Sequence, residues 1–200
     1  MTIEICKASK EKPYLLFKEH YENALKKNQK FIEAISISSF NKDLNEVQSR
    51  IVNLKYIIEE EWIFFSNYLS PKSKSFETHN QISAIFYWDS INTQIRIQAH
   101  IKKTSSTFSN KHFLSRTNEK NALAISSNQS EQISSYDDVI NDYNRALKDY
   151  NKSTKRPEYW GGFSFQPYYF EFWQGHDYRI NRREVFKLVD NKWKNFYVQP

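Results

Sequence analysis

Three glycines in 200 residues, Gly161, Gly162 and Gly175, are the tightest constraint on what this chain can fold into. Their spacing fits neither G-x-G-x-x-G nor a P-loop, the motifs that bring bare backbone up to a phosphate. Rossmann and Walker phosphate chemistry is thereby excluded. Any phosphate this chain holds must be gripped by Arg, Lys and Ser side chains.

The remaining composition narrows the class further. A single cysteine, Cys6, excludes an internal disulfide framework and Cys-rich zinc sites. His20, His79, His100, His112 and His176 never fall in H-E-x-x-H or H-x-x-x-H spacing, so no metal site is expected. Lys+Arg 29 against Asp+Glu 23 gives a net +6, which permits an anionic ligand but falls short of a polyanion-binding surface. With 16% aromatics and a mean hydropathy of −0.78, the sequence predicts a dense aromatic core inside a polar shell. No apolar run approaches the ~20 residues of a membrane helix. Met1 to Lys12 is charged and lacks an apolar core segment, so it reads as an N-terminal tail of a cytoplasmic protein, followed by one domain over 13–200.

Apolar periodicity supplies the elements. Tyr14, Phe17, Tyr21, Ala24 and Leu25 predict a helix from Pro13 to Lys27. Alternation then predicts strands at Ala34–Ser38, Ser49–Ile58, Trp62–Asn67 and Ile82–Trp88, the last apolar enough to be covered on both faces. Thr93 to Lys102 alternates most clearly, with Thr93, Ile95, Ile97, Ala99 and Ile101 on the core side. A second helix runs from Tyr136 to Tyr150 behind a start resembling a capping box, with a polar connector over Asn151–Pro157. Strands at Phe163–Trp173, Arg183–Val189 and Trp193–Val198 follow, the last two joined as a hairpin at Asp190-Asn191. About seven strands without a βαβ rhythm predict a mainly β (α+β) fold, an antiparallel barrel with peripheral helices.

Three polar groupings stand out. Arg50 and Lys55 share one strand, Lys72 and Lys74 follow Ser70 at a strand exit, and Trp173 to Arg183 sets an aromatic plane, amides and three arginines around a glycine turn. Singly, each basic residue reads as solvated surface. Together they suit a planar anionic ligand stacked on an aromatic surface and held through its phosphate.

At these residues the sequence resembles the pyridoxine/pyridoxamine 5′-phosphate oxidase family, flavin enzymes with a split-barrel fold. The matching stretches include Ser49 to Lys55, Phe64 to Asn67, Ser70-Pro71-Lys72, Phe86-Tyr87-Trp88 leading to Gln94, Phe113 to Arg116, Asn128-Gln129-Ser130, Tyr159 to Phe163, and Glu171 to Gly175 with Arg179 and Arg183. The resemblance implies an FMN-dependent oxidase that makes pyridoxal 5′-phosphate from the pyridoxamine or pyridoxine phosphate, with O2 as acceptor and H2O2 as product. It implies a homodimer with FMN at the subunit interface, its C-terminal dimerisation region spanning about 158–200. Carried over by position, Arg50, Lys55, Phe65, Ser66, Lys72, Gln94, Gln129, Ser130, Trp173 and Arg183 would contact FMN. Lys55, His112, Arg116, Lys120, Arg179 and Asn181 would bind a small anionic substrate, with Arg179 and Asn181 at the reacting ring. Phe65 stands where the family usually has Tyr, Pro71 where it has Arg, His112 where it has Tyr, Lys120 where it has Ser and Asn181 where it has His.

Two alternatives remain at this point. The Tyr197-Val198-Gln199-Pro200 ending and Ser126 to Glu131 look more like the flavin oxidases of phenazine biosynthesis, which act on reduced ring compounds. A barrel binding single-stranded nucleic acid on exposed aromatics is the remote one, resting only on charge and aromatic content.

Overall fold

The computed structural model describes residues 2–151 and 153–200. Met1 of the expected tail and Lys152 of the expected connector lie outside them. The chain builds one sheet in the order β1-β4-β5-β8-β7-β6-β2-β3, with β9 and β10 branching from β8. Its strands are β1 (Glu4–Cys6), β2 (Ala34–Asn41), β3 (Glu46–Asn53), β4 (Tyr56–Ile58), β5 (Glu61–Asn67), β6 (Gln81–Trp88), β7 (Thr93–Lys103), β8 (Trp160–Gln174), β9 (Arg182–Val189) and β10 (Lys192–Tyr197). The helices are α1 (Lys12–Lys26), α2 (Pro71–Thr78), α3 (Ser106–Ser115), α4 (Asn118–Ser126) and α5 (Tyr136–Asp149). The architecture is the split barrel expected from the resemblance, with helices around it.

The spine is β8. Its first half pairs with β5, its last half with β9, and β7 runs along nearly all of it. α1 plugs the barrel: Phe17 packs its ring 4.4 Å from that of Trp62 and within 5.7 Å of Phe86 and Trp88. Trp62 is fully buried and also meets Phe165 and Phe170. Burying each such ring contributes about 1.5–3 kcal/mol, which explains how so polar a sequence keeps a core.

Several expectations need correction. Ser49–Ile58 is not one strand, because Leu54 turns inward to full burial and Lys55 breaks the ladder between β3 and β4. β6 is covered on one face only, since Ser83 and Tyr87 are exposed while Ile82, Ala84, Phe86 and Trp88 are buried. Within the stretch expected as a tail, β1 pairs in parallel with β4, and Ile3 is buried with its N–H donating to the Tyr21 hydroxyl at 2.8 Å. α2, α3 and α4 carry no strong apolar stripe and were not anticipated. The start of α5 is as expected: the Ser135 hydroxyl accepts from the Asp138 N–H. The Asp190-Asn191 hairpin also holds, both residues taking the positive φ that a two-residue turn demands.

The strongest electrostatic anchor is Glu171 on β8, 1% exposed. It accepts from Arg96 Nη1 at 2.7 Å, from Arg183 Nε at 2.8 Å and from the Tyr169 hydroxyl at 3.0 Å. Burial pushes its carboxyl up, but those bonds and the two guanidinium charges outweigh it and hold it below the usual range. The stability it contributes is therefore present above the unfolded carboxyl value and lost as pH falls through the lower folded one. Glu171→Ala should cost about 2–4 kcal/mol, discounted because both arginines can reach water, and should flatten the acid limb of a pH–stability curve. An unchanged melting temperature would remove Glu171 from this role.

Candidate functional site

β3, β5, the start of α2, α3, α4 and the loop after α4 enclose a cleft of about 680 Å³, within the range of small-molecule sites. Ten of the expected residues line it: Arg50, Lys55, Phe65, Ser66, Lys72, His112, Arg116, Lys120, Gln129 and Ser130. Gln48, Ile51, Val52, Asn53, Pro71 and Trp160 complete the wall. The apolar and amide positions carried no signal of their own in the sequence; Trp160 sat within the Tyr159 to Phe163 block, but nothing marked it as a wall residue.

One end of the cleft is built on β3 and the β5–α2 turn. Arg50 Nη1 donates to Ser39 Oγ at 2.8 Å and Lys72 Nζ to Ser70 Oγ at 3.0 Å. Lys72 is only 6% exposed. Burial and the neighbouring Arg50 charge push its ammonium down to about 8. Among the described residues neither cation meets a carboxylate. Two such cations beside the Ser66 hydroxyl form a receptor for an anion. Pro71, standing in place of an arginine, occupies the first turn of α2, where its missing N–H costs nothing. Ser66 Oγ and the Asn67 N–H both donate to Gln129 Oε1, at 3.1 and 3.3 Å, which ties the loop carrying Gln129 and Ser130 to β5.

The other end is aromatic and cationic. Phe65 stacks on His112 with ring centres 3.6 Å apart and on Trp160 at 5.4 Å. The Arg116 guanidinium lies 4.3 Å above Trp160 and donates from Nη2 to the Lys120 carbonyl at 2.8 Å. Its Nη1 is buried without a partner. Burial pushes Arg116 down to about 10, and burial with the Arg116, Lys55 and Lys120 charges pushes His112 down to about 4. His112 is therefore a neutral imidazole at physiological pH, a donor without charge. At Gly161, next to Trp160, a Cβ would run into the Tyr68 hydroxyl.

Gln94, Trp173, Arg179, Asn181 and Arg183 do not line the cleft. Gln94, Trp173 and Arg183 form a row across β7, β8 and β9. Arg179 and Asn181 sit in the loop between β8 and β9, Arg179 exposed with φ 62. The Asn181 side chain accepts from the His176 N–H at 3.0 Å, and Arg183 is occupied by Glu171 and the Gln199 carbonyl. Ser66 pairs with Gly161 and Gln94 with Trp173, so the two groups sit at opposite ends of β8. At ~3.3 Å per residue, that separation reaches about 40 Å along the strand.

Residues 160–200 match the Pyridoxine 5′-phosphate oxidase C-terminal dimerisation region. The chain is 30% identical over 192 residues to the pyridoxine/pyridoxamine 5′-phosphate oxidase of Leptospira interrogans, covering 94% of this chain and 88% of that one. It is 35% identical over 190 residues to the enzyme of that name from Christiangramia forsetii, with the same coverage. Among solved structures it superposes on PhzG from Burkholderia lata, in complex with tetrahydrophenazine-1-carboxylic acid, with a TM-score of 0.89 at 22% identity over 94% and 92% of the two chains. A pyridoxamine 5′-phosphate oxidase-related, FMN-binding protein from Nostoc punctiforme follows at 0.74 and 10%, over 92% and 97%. A split barrel, a matching dimerisation region and relatives at this identity along almost the whole sequence lead to one conclusion: the chain belongs to the pyridoxine/pyridoxamine 5′-phosphate oxidase family of oxidoreductases.

Proposed function

We propose that the protein is an FMN-dependent oxidase converting pyridoxamine or pyridoxine 5′-phosphate to pyridoxal 5′-phosphate with O2, working as a homodimer with FMN at the subunit interface. The observation that carries this reading is the pair of cations beside Ser66 and Gln129, half-buried Arg50 and buried Lys72, which have no carboxylate partner among the described residues. A buried cation without a counter-ion is costly, and a bound phosphate monoester relieves that cost. The residues present therefore fit the flavin phosphate despite Pro71.

Arg50, Ser66 and Lys72 would hold that phosphate, while Gln129 and Ser130 would meet the polar rim of the cofactor. FMN, when bound, supplies the two-electron acceptor for the substrate C–H next to the hydroxyl or amine, with O2 as final oxidant. This chain's residues supply position: Lys55, Arg116 and Lys120 converge on one anionic group, and the Phe65–Trp160 surface excludes water from the ring. Gln94, Trp173, Arg179 and Arg183 cannot reach the same cofactor from their own protomer across the length of β8. A two-fold partner would bring its copies of them to the cleft, in keeping with the dimerisation region over 160–200.

A second reading, a reduced ring compound as substrate, draws on Asn181, whose side chain is spent on its own loop. The purified protein should be yellow, and pyridoxamine 5′-phosphate should bleach it anaerobically and support oxygen uptake. Bleaching only by a dihydroaromatic acid would favour the second reading. Colourless protein that takes up no FMN, or that binds oligonucleotides with steep salt dependence, would end both.

A further inference from the structure

His112 is held on two sides by geometry. Its face lies on Phe65, ring centres 3.6 Å apart and 12° from parallel. Its Nδ1 is 2.8 Å from the Tyr56 hydroxyl. Tyr56 is itself set edge-on against Phe65 and Phe108, at 78° and 79°, which fixes the direction of its hydroxyl. The other ring nitrogen, Nε2, has no protein partner among the described residues, and it is not among the buried unpartnered atoms. It therefore opens into the cleft that Lys55, Arg116 and Lys120 also line.

We propose that Tyr56 is a positioning residue that holds His112 in the tautomer with its proton on Nε2, so that a neutral N–H donor faces the anionic group of the substrate. A phenol is a far stronger acid than a neutral imidazole N–H, and an imidazole nitrogen is a better acceptor than a phenol oxygen. The bond therefore runs from the Tyr56 O–H to Nδ1, which leaves the only ring proton on Nε2. The reverse arrangement would aim a lone pair at the incoming anion. Burial favours this neutral form, and so do the three surrounding cations, since a fourth positive charge among them is disfavoured. Tyr56 touches neither substrate nor cofactor in this assignment; it acts through His112 alone.

The inference rests on the proposed anionic substrate, and its test separates the two. With histidine ring nitrogens isotopically labelled in the flavin-loaded protein, two-bond proton–nitrogen correlation should show His112 as the Nε2–H tautomer in wild type. In Tyr56→Phe it should show a mixture of tautomers. Inorganic phosphate should shift the wild-type Nε2 signal and bind the variant more weakly. In turnover, Tyr56→Phe should raise KM for the phosphorylated substrate about tenfold with kcat within about twofold. A wild-type Nδ1–H pattern, or identical spectra with and without the Tyr56 hydroxyl, overturns the assignment whatever the activity. The wild-type spectrum alone decides this point if the variant fails to fold. Absent turnover with the expected tautomer intact would instead count against the substrate reading.

Discussion

Lys72→Met should strip the flavin and harden the apoprotein at the same time. Lys72 is buried, its ammonium rests on one serine hydroxyl and its nearest charge is another cation. An unfolded lysine titrates near 10.5, whereas this one is pushed down to about 8. Between those values the unfolded chain binds more protons, so the stability contributed here rises with pH. Below about 8 the full cost of burying the charge is present, about 3 kcal/mol. Methionine fills the same space without charge, and recovering ~2 kcal/mol should raise the apoprotein melting temperature by about 4–8 °C at neutral pH. The same change would remove the charged hydrogen bond proposed between Lys72 and the flavin phosphate, worth about 1.5–3 kcal/mol, so FMN should bind about tenfold to a hundredfold more weakly. Thermal melts of the flavin-free protein and FMN titration by fluorescence quenching measure the two halves. A variant that melts lower and keeps its FMN affinity would show that Lys72 is a structural lysine.

Arg116→Met should act on substrate and leave the flavin alone. Arg116 keeps one buried nitrogen without a partner, an arrangement that costs stability unless an anion completes it. Its stacking on Trp160 and its bond to the Lys120 carbonyl hold the guanidinium plane, so little entropy is lost on binding. Losing such a charge-assisted contact costs about 3 kcal/mol, which is about a hundredfold in KM for a phosphorylated substrate, with kcat and FMN content near wild type. Arg116→Lys should recover only part of this, because an ammonium cannot present two parallel donors. Equal loss for phosphorylated and dephosphorylated substrates would mean that Arg116 serves the fold.

What the sequence disclosed, and what it withheld, follows from periodicity. β7 and α1 were legible because one face of each is buried, so the pattern of two or of 3.6 is written directly in the residues. α3 and α4 were not, since their helical faces are small and polar and they bury mainly Ser109, Phe113, Asn121, Ala122 and Ala124. The β3–β4 break was hidden because Leu54 turns inward for tertiary reasons that alternation does not record. In the site, charged residues announced themselves and the family pattern ordered them. Trp160 as a wall residue, and Tyr56 behind His112, were beyond that reach, because both roles depend on contacts between residues distant in the chain, Trp160 with Phe65 and Arg116 and Tyr56 with His112, that spacing does not encode.

The short first strand ties the chain's opening residues to the chemistry. Glu4 donates its backbone N–H to the Lys55 carbonyl at 2.9 Å, and its register partner is Tyr56. The backbone of Lys55 and Tyr56 is thus held at the edge of the sheet by a strand only three residues long. A substitution or a fused appendage at residues 3 to 6 would therefore be transmitted through β4 to the wall of the cleft that Lys55 lines.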